Sequence, residues 1–229
     1  MKKITLLTLA VLLTFTVFGQ KEKRNHSDFD GVSLGYPAKL IITQGSSFSV
    51  ELEGDRDDLE EIRTEVRGST LVIKHDREWS WFSRRDISDV TIHVTMKDVR
   101  KISVSGSGKA ESDGKLIARD LDLDVSGSGK IDLNTDAEDV TIDISGSGTV
   151  VLEGKGDDGD IEISGSGTLY AEDFSTHTFQ IEISGSGKCE VNVSQTLDAD
   201  ISGSGSVYYK GNPEKVRSNI SGSGRVRRI

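Results

Sequence analysis

The chain has 229 residues, 34% of them hydrophobic and 29% charged, which suits one or two compact units and excludes a disordered polyelectrolyte. Its formal net charge of −10 speaks against nucleic acid as a partner, since phosphates reward basic patches, and also disfavours adhesion to anionic lipid. The single cysteine, Cys189, allows no internal disulfide, so burial and hydrogen bonds must hold the fold.

The first element in chain order is a leader. Lys2 and Lys3 precede an apolar run from Ile4 to Phe18 and then the small Gly19, the layout of a secretory signal peptide over residues 1–19. Cleavage after Gly19 would remove two lysines and take the formal charge from −10 to −12. The run is shorter than the about 20 residues that span a bilayer, so no transmembrane segment is expected after signal removal. The expected location is outside the cytoplasm: periplasm, outer-membrane surface or extracellular.

Residues 20–100 alternate apolar and polar residues in "KLIITQG", "FSVELEG", "STLVIKH" and "VTIHVTM", the period of strands, with a short helix expected at Asp55–Ile62. One segment stands apart. "REWSWFSRR" carries both tryptophans of the chain, and Trp79, Trp81 and Phe82 are candidate binding residues, because aromatic faces stack on sugars and bury against proteins. The other reading is that they cover an open end of the fold.

From Ile102 onward one word recurs. SGSG begins at Ser105, Ser126, Ser145, Ser164, Ser184, Ser202 and Ser221, a period of about 19 residues that signals a solenoid. Each unit is a short strand, the motif and another short strand. Apolar residues keep one parity through the unit, as in Ile142, Ile144, Val150 and Leu152, and both motif glycines share it. Parity therefore predicts core-facing glycines at a sharp corner and two outward serine ladders. Polar stretches such as "GKGDDG" supply turn chemistry to close each coil. The expected architecture is all-β: a right-handed, single-stranded parallel β-helix over residues 101–229, with residues 20–100 as an N-terminal β cap. An antiparallel meander with SGSG as its hairpin turn is the runner-up.

The stretches "FDGVSLG", "ITQGSSFSVELEGD" and "TLVIKH", followed by the SGSG units, resemble the head GIN domain family of putative auto-transporter adhesins, exported proteins found largely in Bacteroidetes. The resemblance runs from Phe29 to Ile229, although no GIN tripeptide occurs. It implies a β-helical fold and a surface or periplasmic location, and brings no catalytic residue with it.

Other candidate sites have plainer readings. Lys109, Lys130 and Lys188 follow SGSG as the lysine of a phosphate loop would, but Ala110, Ile131 and Cys189 stand where that loop needs a hydroxyl. Asp124, Asp143, Glu162, Glu182 and Asp200 each lie two residues before a motif, so stacking would place them in a column about 4.8 Å apart. Calcium is the sharper reading of that column, and of Asp157, Asp158 and Asp160. A solvated acidic face is the favoured one, because full coordination takes about six to eight oxygens. His26, His75, His93 and His177 are scattered, and Cys189 has core parity, which suits a buried, inert thiol. No catalytic residue, cofactor site or metal site is assigned. The expected function is that of a non-enzymatic adhesin or cell-surface binding protein with a glycan or protein partner. The alternatives are a self-associating structural envelope protein and, by fold analogy alone, a carbohydrate-active enzyme.

Overall fold

The structure, a computed structural model, describes residues 20–76 and 89–229. The signal-peptide reading, together with Trp79, Trp81 and Phe82, therefore lies outside the described residues.

The repeat region forms the expected parallel β-solenoid. Strands β8 (Lys101–Gly106), β9 (Lys109–Gly127), β10 (Lys130–Gly146), β11 (Thr149–Gly165), β12 (Thr168–Gly185) and β13 (Lys188–Gly203) are followed by β14 (Ser206–Lys210), β15 (Lys215–Gly222) and β16 (Arg225–Arg228). The long strands run from one corner, round the return bend, to the next corner. Successive coils pair in parallel with motif on motif, as in Ser145↔Ser164 and Gly146↔Gly165. That register rules out SGSG as a hairpin turn, which would pair its flanking strands antiparallel.

The N-terminal region both closes one end of the solenoid and extends it. Its strands are β1 (Gln20–Arg24), β2 (Gly31–Gly35), β3 (Lys39–Gln44), β4 (Ser49–Gly54), β5 (Ile62–Arg67), β6 (Thr70–His75) and β7 (Thr91–Met96). β2 lies parallel between β6 and β8, and β3 parallel between β7 and β9. Residues 31–44 thus form a coil stacked between one built from β6 and β7 and one built from β8 and the start of β9. β5 on β6, β4 on β7 and β1 on β4 are antiparallel and finish that end. The predicted helix is a single turn, α1 (Arg56–Glu60), which buries Leu59. One core of buried residues runs from Phe29 to Val207 through both regions.

The glycine assignment needs one correction. Only the second glycine of each motif faces the core; the first is left-handed and exposed or half-buried, as at Gly146, exposed with φ of 112°. Strict alternation fails at that one residue, whose positive φ turns the backbone outward, while Ser147 stays exposed and Gly148, Val150 and Leu152 keep the core parity. A Cβ on Gly146 would lie 2.7 Å from the Gly127 carbonyl oxygen of the preceding coil. A Cβ on Gly187 would lie 2.6 Å from Cγ2 of Ile163, the core residue just before the preceding motif. The corner is held by backbone bonds: the Ser147 amide donates to the Gly127 carbonyl at 2.8 Å, and that of Thr149 to the Gly129 carbonyl at 3.0 Å.

The glycines of "GKGDDG" also serve packing. A Cβ on Gly159 would run into the Phe179 ring of the next coil, and one on Gly156 would meet the Phe174 ring at 2.8 Å. Both rings are fully buried, so glycines in one coil make the space that phenylalanines in the next one fill.

Candidate binding surfaces

Two outward faces flank the SGSG corner, and their charge is organised differently. On the strand before the corner, the register stacks Ser103, Asp124, Asp143, Glu162, Glu182, Asp200 and Asn219 in one column. Asp124 at its start is satisfied, accepting from Lys101 Nζ at 2.7 Å and from the Ser103 hydroxyl at 2.9 Å. That carboxylate in turn raises the Lys101 pKa. Among the described residues the other four acids have no ion-pair partner. Burial, then the neighbouring charges of Asp124 and Glu162, raise the Asp143 pKa. Farther along, Glu162, Glu182, Asp200 and Asn219 line a shallow groove of about 200 Å³ with Ser184, Ser202 and Ser221. A cation between two coils would meet two successive carboxylates, short of a calcium shell. Among the described residues no three His, Cys, Asp or Glu side chains converge to hold a metal ion.

On the strand after the corner, a lysine and an acid two residues apart pair within three of the coils. Lys109 pairs with Glu111, which also takes Lys39 at 2.8 Å; Lys130 pairs with Asp132 at 2.7 Å and Lys188 with Glu190 at 2.6 Å. The lysines compared above with a phosphate-loop lysine are thus committed to carboxylates, and those of Lys109 and Lys39 hold the Glu111 pKa below its ordinary value. The register next stacks Tyr170, Glu190, Tyr208 and Arg227. Lys188 Nζ sits 5.3 Å from the Tyr170 ring centroid and 5.7 Å from that of Tyr208, so one ammonium spans two aromatic rings two coils apart. Its pKa is raised, chiefly by the hydrogen bond to Glu190, so the charge persists at neutral pH. Tyr170 is among the few large apolar side chains exposed in the described residues. This cluster was overlooked in the sequence, although aligning "TLYAE", "KCEV" and "SVYYK" on the motif puts tyrosine, glutamate and tyrosine in one column.

The other candidates do not converge. His26 Nε2 is 2.9 Å from the Thr64 hydroxyl, His177 Nδ1 is 3.2 Å from Asp157, and His93 lies 3.8 Å from Glu53. His75 packs against Tyr36, and burial lowers its pKa. Burial also pushes the Tyr36 hydroxyl up to about 12. Cys189 is fully buried, and burial drives its thiol far above the ordinary range, where it is neither nucleophile nor ligand. Among the described residues no helix is long and apolar enough to cross a membrane.

A parallel β-solenoid with glycine corners and no convergent reactive groups among its described residues defines a class of scaffold. The family model for "Putative auto-transporter adhesin, head GIN domain" matches residues 28–213, and the chain belongs to that family. It is a family of adhesin description and not an enzyme family. No curated protein matches the chain. Among solved structures, a putative adhesin from Bacteroides fragilis superimposes with a TM-score of 0.85 at 21% identity, over 92% of this chain and 97% of that one. A putative adhesin from Parabacteroides distasonis gives 0.74 at 21% identity, over 92% and 97%. One from Parabacteroides merdae gives 0.72 at 18%, over 93% and 97%. At such identities the likeness establishes the fold.

Proposed function

We propose that the chain is an exported, non-enzymatic binding protein of adhesin type that works at the cell surface, with a glycan or a protein as its partner. The observation that carries the reading is the cluster of Tyr170, Lys188, Glu190 and Tyr208 on the flank that follows the corner. An exposed ring, Tyr170, and a half-buried one, Tyr208, beside a fixed cation and a carboxylate suit stacking and hydrogen bonding at once. Membership of an adhesin family and the leader-like residues 1–19 support the same reading. The coils offer rigid, repeated presentation and, among the described residues, no groove in which an acid and a base face one another.

The test is binding of the purified protein to a glycan array and to immobilised host and bacterial surface proteins. Replacing Tyr170 and Tyr208 together by alanine should weaken a bound partner about tenfold or more, with the fold intact by circular dichroism. Unchanged binding would remove this site, and turnover of a polysaccharide would overturn the non-enzymatic reading.

A further inference from the structure

Net charge is an average, and the last coil departs from it. Residues 206–229 carry Lys210, Lys215, Arg217, Arg225, Arg227 and Arg228 against the single acid Glu214, in a chain whose formal charge is −10. Lys210 and Arg217 are paired, with Glu172 at 3.1 Å and Asp198 at 3.7 Å. Lys215, Arg225 and Arg227 have no ion pair among the described residues and stand exposed at the rim.

The same coil exposes apolar groups. Val216, Ile220 and Ile229 are 42%, 38% and 55% exposed, whereas Leu197 and Ile201, which lie beneath Val216 and Ile220, are buried. Strand alternation puts Val216, Ile220 and Val226 at the centre of the tip, with Arg228 over Tyr209 on the same side, and Lys215, Arg217, Arg225, Arg227 and Ile229 around its edge. The result is an apolar centre inside a ring of cations.

We propose that this tip docks on the surface of an anionic phospholipid bilayer and stands the solenoid upright on it. Each Lys or Arg near such a surface is attracted by the lipid charge, and the apolar centre can rest at the headgroup level. The unpaired backbone edges of β15 and β16 keep the tip from entering hydrocarbon, so contact is shallow. The same surface repels the column of Asp143, Glu162, Glu182 and Asp200, which turns the acidic flank away and fixes the orientation. Other occupants fit less well. Two tips set end to end would oppose like charges, and arginines on an edge strand discourage addition of a further strand. Laterally mobile lipid phosphates can match a convex ring of flexible cations without a preformed groove.

The experiment is co-sedimentation with phosphatidylglycerol-containing vesicles and with neutral phosphatidylcholine vesicles. The assay uses residues 20–229, which hold every described residue, because the apolar run from Ile4 to Phe18 would bind lipid by itself. Binding to the anionic vesicles alone, weakening as salt rises, is expected. Arg225→Glu, Arg227→Glu and Arg228→Glu together should lower it about a hundredfold. Ile229→Ser should lower it severalfold, and Lys155→Glu on the flank should leave it unchanged. Equal binding to both vesicle types, or binding indifferent to the triple reversal in a folded protein, would overturn the proposal. So would concentration-dependent self-association, abolished by the reversal, without any vesicle binding.

Discussion

The two ends of the solenoid solve the same problem in different ways. A parallel coil cannot terminate itself, because its last strand always leaves one edge and one layer of core uncovered. At the N-terminal end the chain doubles back: β4, β5 and β1 pair antiparallel, and Leu52, Leu59 and Ile62 are buried with Leu71 and Ile92. At the C-terminal end β15 is exposed along its whole length, and Val216 and Ile220, at the positions that would continue the core, are left uncovered. Stability should therefore be graded along the axis, high where antiparallel strands complete the layer and low in the last coil.

The largest effect should come from a corner in the middle of the stack. Gly146→Val adds a clash with the Gly127 carbonyl to the cost of a left-handed φ, together about 3–5 kcal/mol. Gly222→Val is sterically no milder, since its Cβ would meet the Gly203 carbonyl, yet it should cost about 1 kcal/mol because the last coil can lift away. Urea unfolding of the two variants compares them directly. Equal losses would mean that the last coil is bound as firmly as the rest.

Next in size is the core at the two ends. Leu71→Ala should cost about 2–5 kcal/mol, and Val216→Ala less than about 1 kcal/mol, because a half-exposed side chain loses little transfer free energy and leaves no cavity. Hydrogen exchange should agree, with the β15 amides exchanging far faster than those of β6.

The acidic column gives a smaller, pH-dependent effect. Burial and like charges raise the Asp143 pKa in the folded chain, so its protonated form favours folding. That contribution is whole below the ordinary carboxyl value and is lost as pH rises through the raised one. Asp143→Asn should therefore raise the melting temperature at pH 7 by about 1 °C, and the advantage should fade below about pH 4. A gain that persists at low pH would point to a cause other than charge. The smallest effect, within about 0.5 kcal/mol, is expected for Ser145→Ala, an exposed serine beside the sensitive glycine.

The repeat was legible because a fixed period and unbroken parity on both sides of SGSG leave few foldings except stacked coils. Parity failed only at the first glycine, where the chain leaves the alternation on which the rule depends. The N-terminal coils were harder to read: residues 31–44 stack between a coil that contains 70–75 and 91–96 and one that contains 101–112, an order in space that differs from the order in sequence, and no motif marks their corners. The Tyr170 and Tyr208 cluster needed the column, not the unit, as its frame. The charged tip was hidden for the opposite reason, since summing charge over the chain erased it.

The phenylalanine rings housed over glycines in the neighbouring coil give the solenoid a memory of order. Gly159 sits under Phe179, while Val140 occupies the equivalent place one coil earlier. Excising the coil that carries Gly159 would bring Phe179 onto Val140, two bulky groups in the space of one. The two coils are therefore a single unit of inheritance, and a chain that looks like beads of one kind can be lengthened or shortened only at particular joints.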